Sequence, residues 1–199
     1  MTRVPIDIGI AQLALPGETQ SGDRCVVKTS ENRTLIGVID GLGHGSEAAD
    51  AAAAAAEVLE TFAHESVGAL MQRCHERLRD TRGAAITLMV FDTAVGELQW
   101  VGAGNVAAAL LHIESSGRRS CQELLVRGGM AGSLLPSTEA SRLAITRSDV
   151  VVVATDGLHP GFADGIGRGE PPQQLAERLL AQYRTAHDDA LVVVARLQG

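Results

Sequence analysis

Five aspartates stand where hydrophobic, strand-like runs begin or end. Asp23 lies in Ser21-Gly22-Asp23-Arg24, Asp40 closes Val38-Ile39-Asp40-Gly41, and Asp156 closes Val153-Ala154-Thr155-Asp156-Gly157. Asp188 and Asp189 immediately precede Ala190-Leu191-Val192. A carboxylate at a strand end is held rigidly at the rim of its sheet. Several gathered at one rim repel unless a cation neutralises them. A set of oxygen ligands suits a hard cation, Mg²⁺ or Mn²⁺. An Asp-Gly pair after a strand is also an ordinary turn, and spacing alone leaves turn and metal rim both open.

Gly41, Gly43 and Gly45 form a Gly-x-Gly-x-Gly run before a helical pattern, which raises the competing reading of a nucleotide loop. The dinucleotide fingerprint requires glycine at position 46, where this chain has Ser46, and no Gly-Lys-Ser/Thr is present. Asp40 directly before the run would repel a phosphate unless a metal stood between them. A metal site uses both features, with Asp40 as ligand and the bare Gly41 backbone presenting its carbonyl.

The elements that position these residues are legible from periodicity. Ile6–Leu15, Arg24–Thr29 and Arg33–Ile39 read as strands, with turns at Pro16-Gly17 and Glu31-Asn32. Ala48, Ala52, Ala55, Leu59 and Phe62 recur at helical spacing and predict a helix over Ser46–His64. Ser66 caps a second helix, with Val67, Leu70, Met71, Cys74 and Leu78 as its apolar stripe and an end near Asp80. Strands follow at Ala84–Asp92, Glu97–Gly102, Val106–Ile113, Ser120–Arg127, Arg142–Thr146 and Val150–Thr155, then a helix over Pro172–Tyr183 and a strand over Ala190–Leu197. Thr93–Gly96 joins a hairpin. Runs of strands with segregated helices predict an α+β fold, two stacked, mainly antiparallel sheets with helices outside, in one domain over 1–199.

Composition bounds the function. With 199 residues, 45% hydrophobic and 21% charged, the chain is globular. The net charge of −7 argues against nucleic acid as partner. Arg73/Arg77/Arg79/Arg82 read as a solvated helix end and Arg118/Arg119 as a second small cluster. No apolar run is long enough to span a membrane and the N-terminus lacks a secretory pattern, so a cytoplasmic protein without membrane association is expected. Cys25, Cys74 and Cys121 show no metal-binding spacing and read as buried free thiols.

Asp40-Gly41-Leu42-Gly43-His44-Gly45, Ala154-Thr155-Asp156-Gly157-Leu158 and His187-Asp188-Asp189-Ala190 together resemble the PPM-type metal-dependent serine/threonine phosphatases. The resemblance is to their bacterial SpoIIE/RsbU/RsbX branch, and within it to stand-alone RsbX-type stressosome phosphatases. It runs in order along almost the whole chain. Gly102-Ala103-Gly104-Asn105 resembles the family's Gly-x-Asn connection.

The resemblance implies an αββα sandwich and a centre of two Mn²⁺ or Mg²⁺ ions. Carried over by position, Asp40 would bridge both ions, Gly41 would give a carbonyl to one, Asp23 would bind that same ion directly or through water, and Asp156 and Asp188 would hold the other. Asp188 is preferred over Asp189, although Leu191 stands where the family usually has a hydroxyl residue. The implied reaction is hydrolysis of phosphoserine or phosphothreonine by a metal-activated water. His44 is the candidate proton donor to the leaving group, and Arg24 and Asn105 are candidates for substrate binding. His187 is a candidate partner of Asp188, whereas His64, His75 and His112 have no ligand spacing and His159 neighbours Asp156-Gly157-Leu158 in sequence only. Implied substrates are phosphorylated stressosome scaffold proteins of the RsbR/RsbS kind or, for an RsbU-like enzyme, an anti-sigma-factor antagonist. The two helices after the glycine run are the expected docking region. A non-catalytic phosphoprotein-binding module and a nucleotide binder are the readings of other classes.

Overall fold

The first three strands alternate side chains between two buried environments. The computed structural model describes residues 6–113, 119–167 and 169–198. Segment 1–5 and Arg118, weighed above, lie outside them. The elements are β1 (Ile6–Leu13), β2 (Asp23–Ser30), β3 (Arg33–Gly41), α1 (Ser46–Thr61), α2 (Val67–Arg77), β4 (Ala84–Asp92), β5 (Glu97–Ala103), β6 (Ala107–Ile113), β7 (Arg119–Leu124), β8 (Ser141–Ala144), β9 (Val150–Ala154), a 3₁₀ turn (Pro160–Gly165), α3 (Pro172–Tyr183) and β10 (Ala190–Leu197).

One sheet runs β1-β10-β9-β6-β7 and the other β2-β3-β4-β5-β8, with antiparallel neighbours throughout. In β3, Leu35 and Ile39 pack beneath α1 and α2, whereas Ile36 and Val38 pack against the second sheet with Val151 and Val193. The outer faces of β9 and β10, through Val150, Val152 and Val194, meet Leu175 and Leu179 of α3. This is the expected αββα sandwich, and burial on both faces explains why β4, β9 and β10 read as nearly unbroken apolar runs.

The alanine face of α1 lets the helix lie close on β3. A Cβ on Gly37 would come 2.3 Å from Leu59 Cδ1, and one on Gly41 would come 2.1 Å from the Ala48 carbonyl oxygen. Ser66 caps α2 by accepting the Ala69 amide. The first two helices are shorter than predicted, ending at Thr61 and Arg77, and β8 covers Ser141–Ala144 rather than Arg142–Thr146. β7 ends at Leu124, three residues before the predicted limit, because Arg127 bonds instead to Gly102 and Gly104. The 3₁₀ turn was not anticipated. Only Cys74 is fully buried, Cys25 is half-buried and Cys121 is exposed, because edge strand β7 turns it outward. Among the described residues no helix is long and apolar enough to cross a membrane.

Candidate metal centre

Alternation along the strands aims the acidic residues at one end of the sandwich. Asp40 lies two residues beyond Val38 and so falls on the face between the sheets. Asp23 lies two residues before Cys25, on the same face of β2, and stands directly opposite Asp40 in the β2–β3 pairing. From the other sheet, Thr155 follows Val153 and Asp189 precedes Leu191 with the same parity. Both sheets therefore deliver polar groups to one rim.

A cleft of about 400 Å³ opens there, lined by Asp40, Asp156 and Asp188 together with Leu42, Gly43, Asn105 and Met130. None of the described residues lining it carries a positive charge. Asp23 sits behind Asp40 and is 2% exposed. Its Oδ2 accepts the Thr155 hydroxyl at 2.7 Å, and Thr155 Oγ1 accepts the Leu191 amide at 2.9 Å. Leu191, which departs from the family pattern in its side chain, thus contributes through its backbone.

Burial, with the charges of Asp23, Asp156, Asp188 and Asp189 added, pushes Asp40 up to about 8. Burial also lifts Asp23 to about 7 against the opposing Thr155 hydrogen bond, with Asp189, Asp188 and Asp156 adding repulsion. Asp156 is raised too, by burial and then by Asp188, while hydrogen bonds from the Asp40 carboxyl and the Asn105 amide oppose the shift. Burial and mutual repulsion are what keep protons on these carboxyl groups into the neutral range. Exchange of those protons for a divalent ion relieves the desolvation and the repulsion together. The donor set therefore fits hard cations. Among the described residues no three His, Cys, Asp or Glu side chains form a metal cage on their own. A Mg²⁺ ion takes few protein carboxylates and keeps several waters, so a backbone carbonyl and water would have to complete its shell here.

The backbone supplies such a carbonyl. The Gly41 amide donates to the Gly22 carbonyl at 3.0 Å. The Gly22 amide, which would return the bond to Gly41 in an unbroken ladder, donates to Asp189 Oδ2 at 2.7 Å. Asp189 Oδ1 accepts the Leu15 amide at 2.7 Å. Both Asp189 oxygens are thus occupied by loop amides in a buried position, while Asp188 reaches the cleft. Glycine follows both Asp40 and Asp156 because backbone approaches closely at each. A Cβ on Gly157 would lie 1.8 Å from the Asp189 carbonyl oxygen.

The other expected residues divide. Asn105 is at the cleft, its Nδ2 donating to Asp156 Oδ2 at 2.6 Å. Arg24 is not brought there. It is exposed on the opposite face of β2 from Asp23, in register with Ile39, because successive strand residues face opposite ways. His44 is not among the lining residues, and its Nδ1 lies 2.7 Å from Glu18 Oε1. His187 is exposed, and the backbone amide of Asp189 bonds to Asp188 Oδ1 at 2.8 Å. His159 caps the 3₁₀ turn by accepting the Gly161 amide. His75 Nδ1 accepts the Gly132 amide, and His112 lies 2.9 Å from Asp149.

Arg82 and Thr155 stand at the rim without a sequence motif that marks them. The sequence places Arg82 in a basic cluster that reads as a solvated helix end, and Arg73 and Arg77 do pair there with Glu65 and Glu57. Arg82 instead pairs with Glu47 at the start of α1. Its Nη1 lies 2.9 Å from where a Gly43 Cβ would stand, beside the cleft. The Leu42 amide donating to the Gly83 carbonyl at 3.0 Å ties its loop to the glycine run. The only sequence signal was its place next to Gly83 at the start of a strand. For Thr155 it was the adjacency to Asp156.

The family described as Stage II sporulation protein E (SpoIIE) matches residues 30–198. The chain is 25% identical over 190 residues to the phosphoserine phosphatase RsbX of Bacillus subtilis strain 168, covering 94% of this chain and 93% of that protein. A crystal structure of RsbX in complex with magnesium is 24% identical, covers both chains fully and superposes with a TM-score of 0.85. A solved structure described as the bacterial stressosome, a modular system adapted to control secondary messenger signalling, is 29% identical. It covers 96% of this chain and all of its own, with a TM-score of 0.86.

Proposed function

The chain belongs to the SpoIIE family and is a metal-dependent protein serine/threonine phosphatase; we propose that the carboxylate rim is its centre and that phosphoserine on a stressosome-type protein is its substrate. The observation that carries the site is the gathering of Asp23, Asp40, Asp156 and Asp188 at one end of the sandwich, with three of them holding protons above the usual carboxylate range.

Asp40, Asp156, Asp188 and the Gly41 carbonyl would hold two Mn²⁺ or Mg²⁺ ions, with Asp23 supporting from behind Asp40. When bound, such a pair would acidify a water and neutralise the phosphoryl oxygens. Asp40 stands opposite Asp23 on its own sheet and within hydrogen-bond reach of Asp156 from the other, which makes it the central carboxylate of the set. Asn105 fixes the Asp156 carboxylate, and Thr155 keeps Asp23 aimed at the rim. Arg82 exchanges Glu47 for the substrate phosphoryl group and so supplies the positive charge that the cleft lining lacks. This role replaces the one expected of Arg24.

The similarity to RsbX and to the stressosome-associated structure supports a phosphorylated stressosome scaffold protein as substrate and residence in the cytoplasm. An anti-sigma-factor antagonist is the second candidate. The test is phosphate release from a phosphoserine protein with and without Mn²⁺, beside Asp40→Asn. Mn²⁺-dependent release abolished by the substitution is expected. Release that ignores Mn²⁺ and survives the substitution overturns the proposal.

A further inference from the structure

A second cleft, of about 630 Å³, joins the first at the Asn105–Asp156 hydrogen bond, and both residues line both clefts. It runs away from the carboxylates past Ala107, Ala109, Leu124 and Leu125, with Leu158 and Phe162 on the far wall. Its shape follows from the sequence. β6 opens with Ala107-Ala108-Ala109, and these small side chains leave a hollow that the 3₁₀ turn closes from the other side. Leu125 stands at this hollow with 59% of its surface exposed and carries the apolar wall out to solvent.

The size falls within the range of specific ligand sites, and the lining is predominantly apolar. Its polar members are few. Asn105, Thr155 and Asp156 sit at the end shared with the carboxylate cleft, and Glu123 is the remaining one. A free metabolite would find few groups to orient it. A peptide whose phosphoserine is already fixed at the shared end needs none. The chain is also acidic, with a net charge of −7, so long-range attraction does not recruit a phosphorylated segment. Selectivity among phosphoproteins must then come from contact.

We propose that this groove is the substrate-specificity site: it receives an apolar side chain of the protein substrate within three residues of the phosphoserine. The inference rests on the phosphatase reading given above. Leucine, methionine or phenylalanine at that position is favoured, and aspartate or glutamate is rejected by Glu123 and by the unrelieved burial of charge.

The test uses a set of fluorescent phosphoserine peptides that differ only by leucine or aspartate at each of the three positions on either side of the phosphoserine. Mn²⁺-dependent kcat/KM is measured with the wild-type protein, and Kd by anisotropy with Asp40→Asn. At one position leucine is expected to exceed aspartate by about tenfold or more in both quantities. Leu125→Glu and, separately, Ala107→Glu are expected to bring that ratio close to 1. Equal Kd values across the set overturn the groove, as does a preference that survives both substitutions. If no peptide is turned over, the phosphatase reading fails, and the Kd ratio in the Asp40→Asn protein still decides the groove.

Discussion

Asp23 and Asp40 face each other directly across neighbouring antiparallel strands, with no cationic side chain among the described residues lining the cleft in front of them. Like charges in opposed strand positions destabilise a sheet. Here burial, with repulsion from the surrounding aspartates added, holds the two carboxyls at about 7 and about 8. Both values lie above those of the unfolded chain, so the folded state binds more protons. The associated stability is complete below about pH 4 and is lost as pH rises through 7 and 8. The melting temperature of the metal-free protein should therefore fall between pH 5 and pH 9. Saturating Mn²⁺ should remove that fall, because the ion takes the place of the protons. Thermal denaturation in EDTA and in Mn²⁺ across that range checks both statements.

Removing the Asp40 charge separates stability from function. Asp40→Asn relieves the repulsion and should raise the melting temperature of the metal-free protein by a few degrees, at about 2–4 °C per kcal/mol for a chain of this size. Phosphatase activity should fall by at least about a hundredfold. Calorimetric metal titration should show weakened binding in the same protein.

Thr155 connects the two sheets by donating to Asp23 and accepting from Leu191. Thr155→Val leaves a buried amide and a buried carboxyl without this partner, at a cost of about 1–3 kcal/mol. Loss of the hydrogen bond that opposes burial raises the Asp23 pKa further. The acidic limb of the pH–activity profile should move to higher pH, which a steady-state pH series would show.

Adjacent aspartates have different work. Asp189 holds the Leu15 and Gly22 amides, so Asp189→Ala should destabilise the fold by about 1–3 kcal/mol even in metal-free protein. Asp188 lines the cleft and is half-buried. Asp188→Ala gives up the bond from the Asp189 amide but also relieves repulsion, so it should cost less metal-free stability than Asp189→Ala and should weaken metal binding. Denaturant melts beside metal titrations of the two variants would distinguish them.

Arg82 is half-exposed and paired with an exposed glutamate, so Arg82→Gln should change stability by less than about 1 kcal/mol. If its guanidinium meets the phosphoryl group, kcat/KM should fall about tenfold or more. Arg24→Gln, on the far face of β2, should match wild type. Kinetics of the two variants on one phosphoprotein would check this.

Much of this was legible in order along the chain. The runs Ala84–Asp92, Pro172–Tyr183 and Ala190–Leu197 coincide with β4, α3 and β10 because helical and strand periods are local properties. Alternation along β2 is also what turns Arg24 away from Asp23 and removes it from the site. The paired Asp-Gly motifs marked the rim because glycine is required where backbone meets backbone, at Ala48 and at Asp189. Local residue patterns were thus enough to specify the elements, their buried faces and the acidic ends of several strands. Which neighbours meet at the rim depends on the packing of the two sheets. Asp189 is taken by amides of Leu15 and Gly22, more than 160 positions away, and no local pattern records that. Arg82 is carried over Gly43 by the loop before β4, and the apolar groove exists only where the alanines of β6 face the turn after β9. These are contacts between distant segments, and they follow from how the two sheets pack rather than from the period of any one of them.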